Sequence, residues 1–361
     1  MTTPDRPQRS FTYLRIALFV LTLLVAGEVA LRVVDAVQGR SPFGAQIAEP
    51  GTEVLRYKPH PFLGYALNPA YDGQDINPMG LRGEAVPKKK PKGVYRILCV
   101  GGSTTYGSHT PADQAYPARL QELLNKGPHK QPPLRYEVLN CGVPGYTTAE
   151  SLVNLSLRLL EFDADALIIY HAINDARLIQ VGGFQADYSH MRSSWRFPET
   201  SPLESALLRH CRLYYRLFKG SYPSLQPARL ERLVYVDATE HPHPAPSWKG
   251  VNTRGVRAYL RNLRNLIAVA QEHGIAPVLT TFAASEEHLV GPGYGDVLAV
   301  MNRWVRQMAT NKKLPLIELA ESLDDQPGLF ADYVHMNADG FMAQAKLIHQ
   351  QARELGLWRL R

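Results

Sequence analysis

Ser103 stands directly after two glycines in the run Gly101-Gly102-Ser103-Thr-Thr-Tyr-Gly107, and Asp332 and His335 lie three residues apart in Asp332-Tyr-Val-His335. These are the residue types of a nucleophilic hydroxyl and of the base that would activate it. A serine hydroxyl attacks poorly until a neutral imidazole takes its proton, and a carboxylate holds that imidazole in the right tautomer. An Asp and a His on one loop can hydrogen-bond to each other while the His faces the serine. Paired glycines allow a tight turn ahead of Ser103. A helix starting there would favour negative charge developing at the serine. The same loop would suit a phosphate cradle, but the lysine of the Walker pattern is missing.

Attack on a carbonyl creates an oxyanion, which needs N–H donors. The Ser103 backbone is one candidate. Gly145, in Asn140-Cys-Gly-Val-Pro-Gly145, can turn its own N–H toward such an oxygen. Asn174, in His171-Ala-Ile-Asn174-Asp175, offers a side-chain amide. Asp175 reads as a cap for the following helix or as a residue that holds the loop. His171 competes with His335 as the base; its other reading is a hydrogen-bonded structural histidine.

The elements that must position these residues follow a repeating pattern. Tyr95 to Val100, Tyr136 to Leu139, Ala166 to Tyr170, Pro277 to Phe282 and Leu314 to Leu319 are short apolar runs of strand length. Helical periodicity covers Pro117 to Asn125, Ala149 to Phe162, Gly255 to His273, Leu298 to Thr310 and Ala338 to Leu355. Gly274 is a stop signal after one of them. Alternating strands and helices predict a parallel sheet covered on both faces. Five strands suit a flavodoxin-like, doubly wound order: a three-layer α/β/α sandwich. In such sheets the site forms at the carboxyl ends of the strands, which is where the four polar clusters fall.

Ahead of this domain, Leu14 to Val37 is apolar and long enough to cross a bilayer, which takes about 20 residues. Glu28 and Arg32 interrupt it but lie on one helical face and can pair. Arg6, Arg9 and Arg15 against the single acid Asp5 predict residues 1–13 as a cytoplasmic tail, with the bulk of the chain outside. No small-x-small cleavage site follows the span, so an uncleaved anchor is expected rather than a removed signal peptide. If the source cell is Gram-negative, the domain would be periplasmic.

Residues 38–93 read as a Pro- and Gly-rich lead-in, and residues 94–361 as the α/β domain. The stretch from about 178 to 250 breaks the rhythm. It holds Trp195 and Trp248 and reads either as a lid or binding insertion over the site or as a structural excursion.

The chain has 361 residues and a formal charge of +7, drawn from scattered arginines and the run Lys88-Lys89-Lys90 with Lys92. No basic stripe is interleaved with aromatics, so a nucleic-acid partner is not expected. Cys99, Cys141 and Cys211 make neither a disulfide framework nor a metal-ligand spacing. They read as small buried residues, with a Cys99–Cys141 bridge open if the domain lies in an oxidising compartment.

Taken with their order along the chain, the four clusters resemble the SGNH hydrolase superfamily, the GDSL-like lipases and acylhydrolases. The resemblance runs from about Val94 to Leu355, apart from the insertion. Gly102 stands where the family has Asp before its serine. Gly145 matches the second-block glycine, five residues after Asn140. Ala172 replaces the glycine of the third block, whose Asn174 and Asp175 are kept. Asp332 and His335 match the last block in full. The anchor and Asn77, Gly80 and Arg82 in the lead-in look like a membrane-attached branch.

The resemblance implies hydrolysis of acylated small molecules, glycans or lipids through an acyl-serine, with no metal or other cofactor. It leaves open an O-acyltransferase using the same triad, and a catalytically silent glycan-binding protein on the same fold.

Overall fold

The computed structural model describes residues 7–39, 41, 56–71, 75–126, 135–191, 201–218, 247, 249–285 and 293–359. Trp195 and Trp248 lie outside the described residues. The chain forms two compact units, Met1–Val54 with Arg196–Leu230, and Leu55–Trp195 with Glu231–Arg361.

The larger unit opens with an antiparallel hairpin of β1 (Tyr57–His60) and β2 (Gly64–Leu67). Five parallel strands follow: β3 (Val94–Gly101), β4 (Arg135–Asn140), β5 (Ala166–Tyr170), β6 (Ala276–Thr280) and β7 (Leu316–Ile317). Their order in the sheet is β4-β3-β5-β6-β7, the flavodoxin-like order expected from the sequence. Every residue of β5 is buried, as a central strand covered on both faces requires. Helices Tyr116–Lys126 and Ala338–Glu354 pack together, and Thr148–Leu157 packs with Thr253–Glu272. The strand order reverses at β3, which has β4 on one side and β5 on the other. The loop after β3 therefore sits at the switch point, where such sheets place their sites.

Two elements are shorter than their apolar runs. The fifth strand shrinks because its flanking amides are taken elsewhere. Leu314 N–H closes the preceding helix on Ala309 O, Glu318 N–H goes to Gln351 Oε1, and Leu319 N–H goes to Thr281 Oγ1. The run from Ala149 to Phe162 is not one helix. Arg158 leaves helical geometry at φ −133°, and a 3₁₀ turn Leu159–Phe162 follows.

At the amino end of the sheet Arg96 and Glu137 face each other in register, both buried. Arg96 donates from Nε and Nη2 to Glu137 Oε2 at 3.0 and 2.7 Å, and from Nη1 to the carbonyls of Lys88 and Phe162. A buried charge pair is tolerated only with its remaining hydrogen bonds made, as here.

The lead-in joins this unit from Leu55 onward. Tyr57, Leu63, Tyr65 and Leu67 form a small apolar cluster with Tyr106, Val143 and Tyr146. Of the stretch from about 178 to 250, the stems are tied by Gln180, whose amide donates to Ser247 O and Gly250 O at 2.6 and 2.7 Å.

In the smaller unit one helix runs Pro7–Val37, and its segment Thr12–Val37 is long and apolar enough to cross a membrane. Its valines, Phe19 and its leucines from Leu14 to Leu24 stand exposed, while Leu31 is half-buried. Arg32 donates to Glu28 at 2.8 Å, the i,i+4 pair expected from the sequence. Helices Pro202–His210 and Arg212–Phe218 belong to the same unit.

Candidate active site

Ser103 opens a one-turn helix, Ser103–Tyr106, directly after β3. The two glycines before it are needed for close approach. A Cβ on Gly101 would fall 2.0 Å from Thr105 Oγ1, and one on Gly102 would fall 2.5 Å from Asn174 Nδ2. The glycine at 102, where the family has Asp, thus gives the Asn174 amide its place against the serine turn.

His335 Nε2 lies 2.7 Å from Ser103 Oγ, and His335 Nδ1 lies 2.7 Å from Asp332 Oδ2. An ionised carboxylate can only accept, so Nδ1 carries the proton and Nε2 is left to accept from the serine hydroxyl. The loop holds this geometry through Asp332 Oδ1, which accepts the N–H groups of Val334 and His335 at 2.9 and 2.8 Å. Burial alone would raise the Asp332 carboxyl. The hydrogen bond and charge of His335, with the two backbone donors, outweigh it and hold the group well below the ordinary carboxylate range. Asn337 then caps the last helix, accepting from Gly340 N–H at 2.9 Å, so the His335 loop is anchored at its far end.

The three expected oxyanion donors come from neighbouring turns. Ser103 N–H, at the first helical position, has no acceptor within its helix. Gly145 adopts φ +80°, in the left-handed region open to glycine. Asn174 donates one amide hydrogen to Tyr146 O at 2.9 Å, which leaves its second. Asn140 steadies the turn between them, donating to Tyr106 O and accepting from Gly142 N–H, both at 3.1 Å.

His171 is not part of this group. It is buried, and its Nε2 lies 2.7 Å from Ser151 Oγ. Burial lowers its pKa to about 4, with a smaller opposing pull from Glu150. Asp175 is buried too; it lies inside the helix Ile173–Ile179 and, instead of capping a following helix, braces the start of the earlier helix Thr148–Leu157. It accepts from Thr148 N–H and Oγ1 at 3.0 and 2.5 Å and from Tyr188 Oη at 2.9 Å. Burial outweighs these donors and pushes its carboxyl up to about 7. Cys99, Cys141 and Cys211 are free thiols. Burial pushes Cys141 up to about 12 and Cys99 further, so neither is a thiolate.

Three residues matter to the site without a signal in sequence spacing. Tyr65, on β2, donates to Pro144 O at 2.7 Å, and a Cβ on Gly145 would fall 2.5 Å from its hydroxyl. Arg82, read only as part of the lead-in, is buried. It donates from Nη1 to Tyr106 O and Gly107 O at 2.6 and 2.8 Å, and from Nη2 to Thr110 O at 2.5 Å. Its guanidinium also lies 4.1 Å from the Tyr106 ring centroid. Asn77 fixes the turn that delivers it, accepting from Met79 and Leu81 N–H at 3.0 and 3.1 Å.

His109 is the third. At φ +72° it puts its ring edge-on to His335, 5.3 Å between centroids, with Nε2 3.9 Å from Asp332 Oδ2. Ligand atoms of His109, Asp332 and His335 lie within 4.8 Å of one another, a spacing that would admit an ion. The Asp332–His335 contact is the one the serine needs, so those atoms cannot serve both arrangements at once.

The chain is similar in fold to an acetylxylan esterase from Geobacillus stearothermophilus, at 17% identity over 74% of this chain and 96% of that one, with TM-score 0.44. It is also similar to the acetyl xylan esterase AlAXEase, at 17% identity over 71% of this chain and 98% of that one, with TM-score 0.41. A search of curated proteins finds no match. The model of the GDSL-like Lipase/Acylhydrolase family matches residues 99–343, from within β3 to within the last helix. The chain belongs to the GDSL-like lipase/acylhydrolase family and is an esterase/acylhydrolase.

Proposed function

We propose that Ser103, His335 and Asp332 are the nucleophile, base and orienting acid of a serine esterase. In this reading the enzyme works outside the cytoplasm while its N-terminal helix holds it to the membrane. His335 Nε2 takes the Ser103 proton as Oγ attacks the ester carbonyl. The oxyanion is held by the N–H groups of Ser103 and Gly145 and by the Asn174 amide. His335 then gives its proton to the leaving alcohol, and an acyl-serine remains. Water, deprotonated by the same imidazole, releases the acid and restores the serine. An anchored domain facing outward meets acylated glycans and lipids, and removal of acetyl or similar acyl groups from them is the proposed task.

The observation that carries this reading is the unbroken contact from Ser103 Oγ through both His335 nitrogens to Asp332. Steady-state kinetics on an acetyl phenol ester test it. Asp332→Asn is expected to lower kcat by about four orders of magnitude, the cost of a wrong tautomer. Adding His335→Ala to it should cost little more, because residues that act as a unit lose function together. His171→Ala should keep most of the activity. An active His335→Ala beside an inactive His171→Ala would assign the base to His171 and overturn the triad.

A further inference from the structure

We infer that helices Pro202–His210 and Arg212–Phe218 form a membrane-interface collar, docked on the outer end of the N-terminal helix and resting on lipid. This rests on the reading of Thr12–Val37 as a membrane span. It assigns a role to residues that the sequence alone would leave as part of a lid or of a structural excursion.

The docking is specific and polar. Glu28 Oε2 accepts Leu213 N–H at 2.8 Å and faces Cys211 Sγ at 3.4 Å. Arg32 donates back to His210 O at 2.7 Å. Asp35 and Arg212 are both buried and pair at 3.0 Å, while Arg212 Nη2 also donates to Ser41 O at 2.8 Å. Leu213 packs on Gly27, where an added Cβ would lie 3.5 Å from its Cδ2. Leu208 is fully buried. A charged pair inside an apolar span is costly unless protein supplies its partners. The two short helices supply them for Glu28 and Arg32.

The depth of this contact identifies the occupant of the outer face. At 1.5 Å per helical residue, Glu28 lies about 22 Å and Asp35 about 33 Å along the helix from Tyr13. The hydrocarbon core is about 30 Å thick, so the contact straddles its far boundary. At that level a water-facing hairpin would be polar outside. Here Leu203, Leu217 and Phe218 stand exposed, with Leu203 at 69% and Leu217 at 64%. The composition Arg212-Leu-Tyr-Tyr-Arg216-Leu-Phe218 mixes arginine with aromatics. Aromatics are enriched at membrane interfaces, and the arginine stem can lie along apolar surface while its head stays in water. Both the short helices and the span they dock on expose large apolar side chains, and lipid is the one medium that covers both.

The test uses the full chain in lipid nanodiscs, with the photo-crosslinking residue p-benzoylphenylalanine placed singly at Phe218, Phe19 or Phe62. All three are exposed, and each replacement keeps an aromatic ring. Phe19 lies in the span and Phe62 in the turn between β1 and β2 of the larger unit. The expected result is lipid adducts at Phe19 and Phe218, each severalfold above Phe62. Adducts at Phe19 with Phe218 no higher than Phe62 would overturn the collar and leave the anchor standing. Absence of adducts at Phe19 would remove the anchor and the collar together.

Discussion

At the residue scale, two glycines and two histidines divide the work. Gly102 lacks the side chain its family carries there, and the Asn174 amide fills the space. Gly102→Ala is expected to push Asn174 off its position and weaken one oxyanion donor. Loss of such a donor costs about 3 kcal/mol in the barrier. The prediction is a fall in kcat of up to about two orders of magnitude with little change in KM, read on an activated ester; an unchanged kcat would remove Asn174 from the oxyanion site. His171 separates from His335 by environment, since it is buried and neutral with a pKa near 4. A histidine whose folded pKa lies below its unfolded value of about 6.5 makes folding less stable as pH falls through that interval. Wild type should therefore gain stability relative to His171→Gln between about pH 4 and 6.5 and level off above it. Thermal melts of both proteins across that range would show it, and parallel curves would contradict it. Ser103, Asp332, His335 and Asn174 were legible because each follows a strand-length run and carries a side chain suited to its chemistry. His109 and Tyr65 were not, because nothing in spacing says that a loop after Gly107 or a hairpin before β3 folds back onto these turns.

At the element scale, the sheet was readable from apolar runs and the flavodoxin-like order from their alternation with helices. Element ends were not. Leu314 to Leu319 is as apolar as a strand, yet Ala309, Gln351 and Thr281 claim its flanking amides. Such competition comes from residues distant in sequence and leaves no periodic mark. The lead-in is the larger lesson. Its two-stranded hairpin braces the Gly145 turn, and Arg82 holds three carbonyls of the loop that follows Ser103. Hydrogen bonds to a charged group contribute about 1.5–3 kcal/mol each, and not additively. Arg82→Ala is expected to destabilise the larger unit by roughly 3 kcal/mol and to lower kcat with it. Arg82→Lys should recover only part of both, since a single ammonium cannot match the planar fork. Urea unfolding with parallel kinetics checks this; an Arg82→Ala protein of native stability and activity would make the clamp irrelevant.

At the scale of the whole molecule, one compact unit carries a membrane-length helix and the other the α/β fold of the GDSL-like family, and the proposed orientation rests on Arg6, Arg9 and Arg15 ahead of the span. The helix itself was legible from composition. That helices between 202 and 218 would share its unit was not, because their contacts run through Glu28, Arg32 and Asp35, of which the local pattern shows no more than a Glu28–Arg32 pair within the span. Ser103 Oγ is proposed as an activated nucleophile facing out of the cytoplasm. A membrane-impermeant fluorophosphonate, applied to right-side-out and to inside-out vesicles bearing the full chain, tests it directly. The expected result is a phosphonyl adduct on Ser103, found by peptide mass spectrometry in right-side-out vesicles and lost in Ser103→Ala and His335→Ala. Labelling confined to inside-out vesicles would reverse the orientation but keep the nucleophile. Undiminished labelling in Ser103→Ala, or none on Ser103 in either kind of vesicle, would contradict the claim.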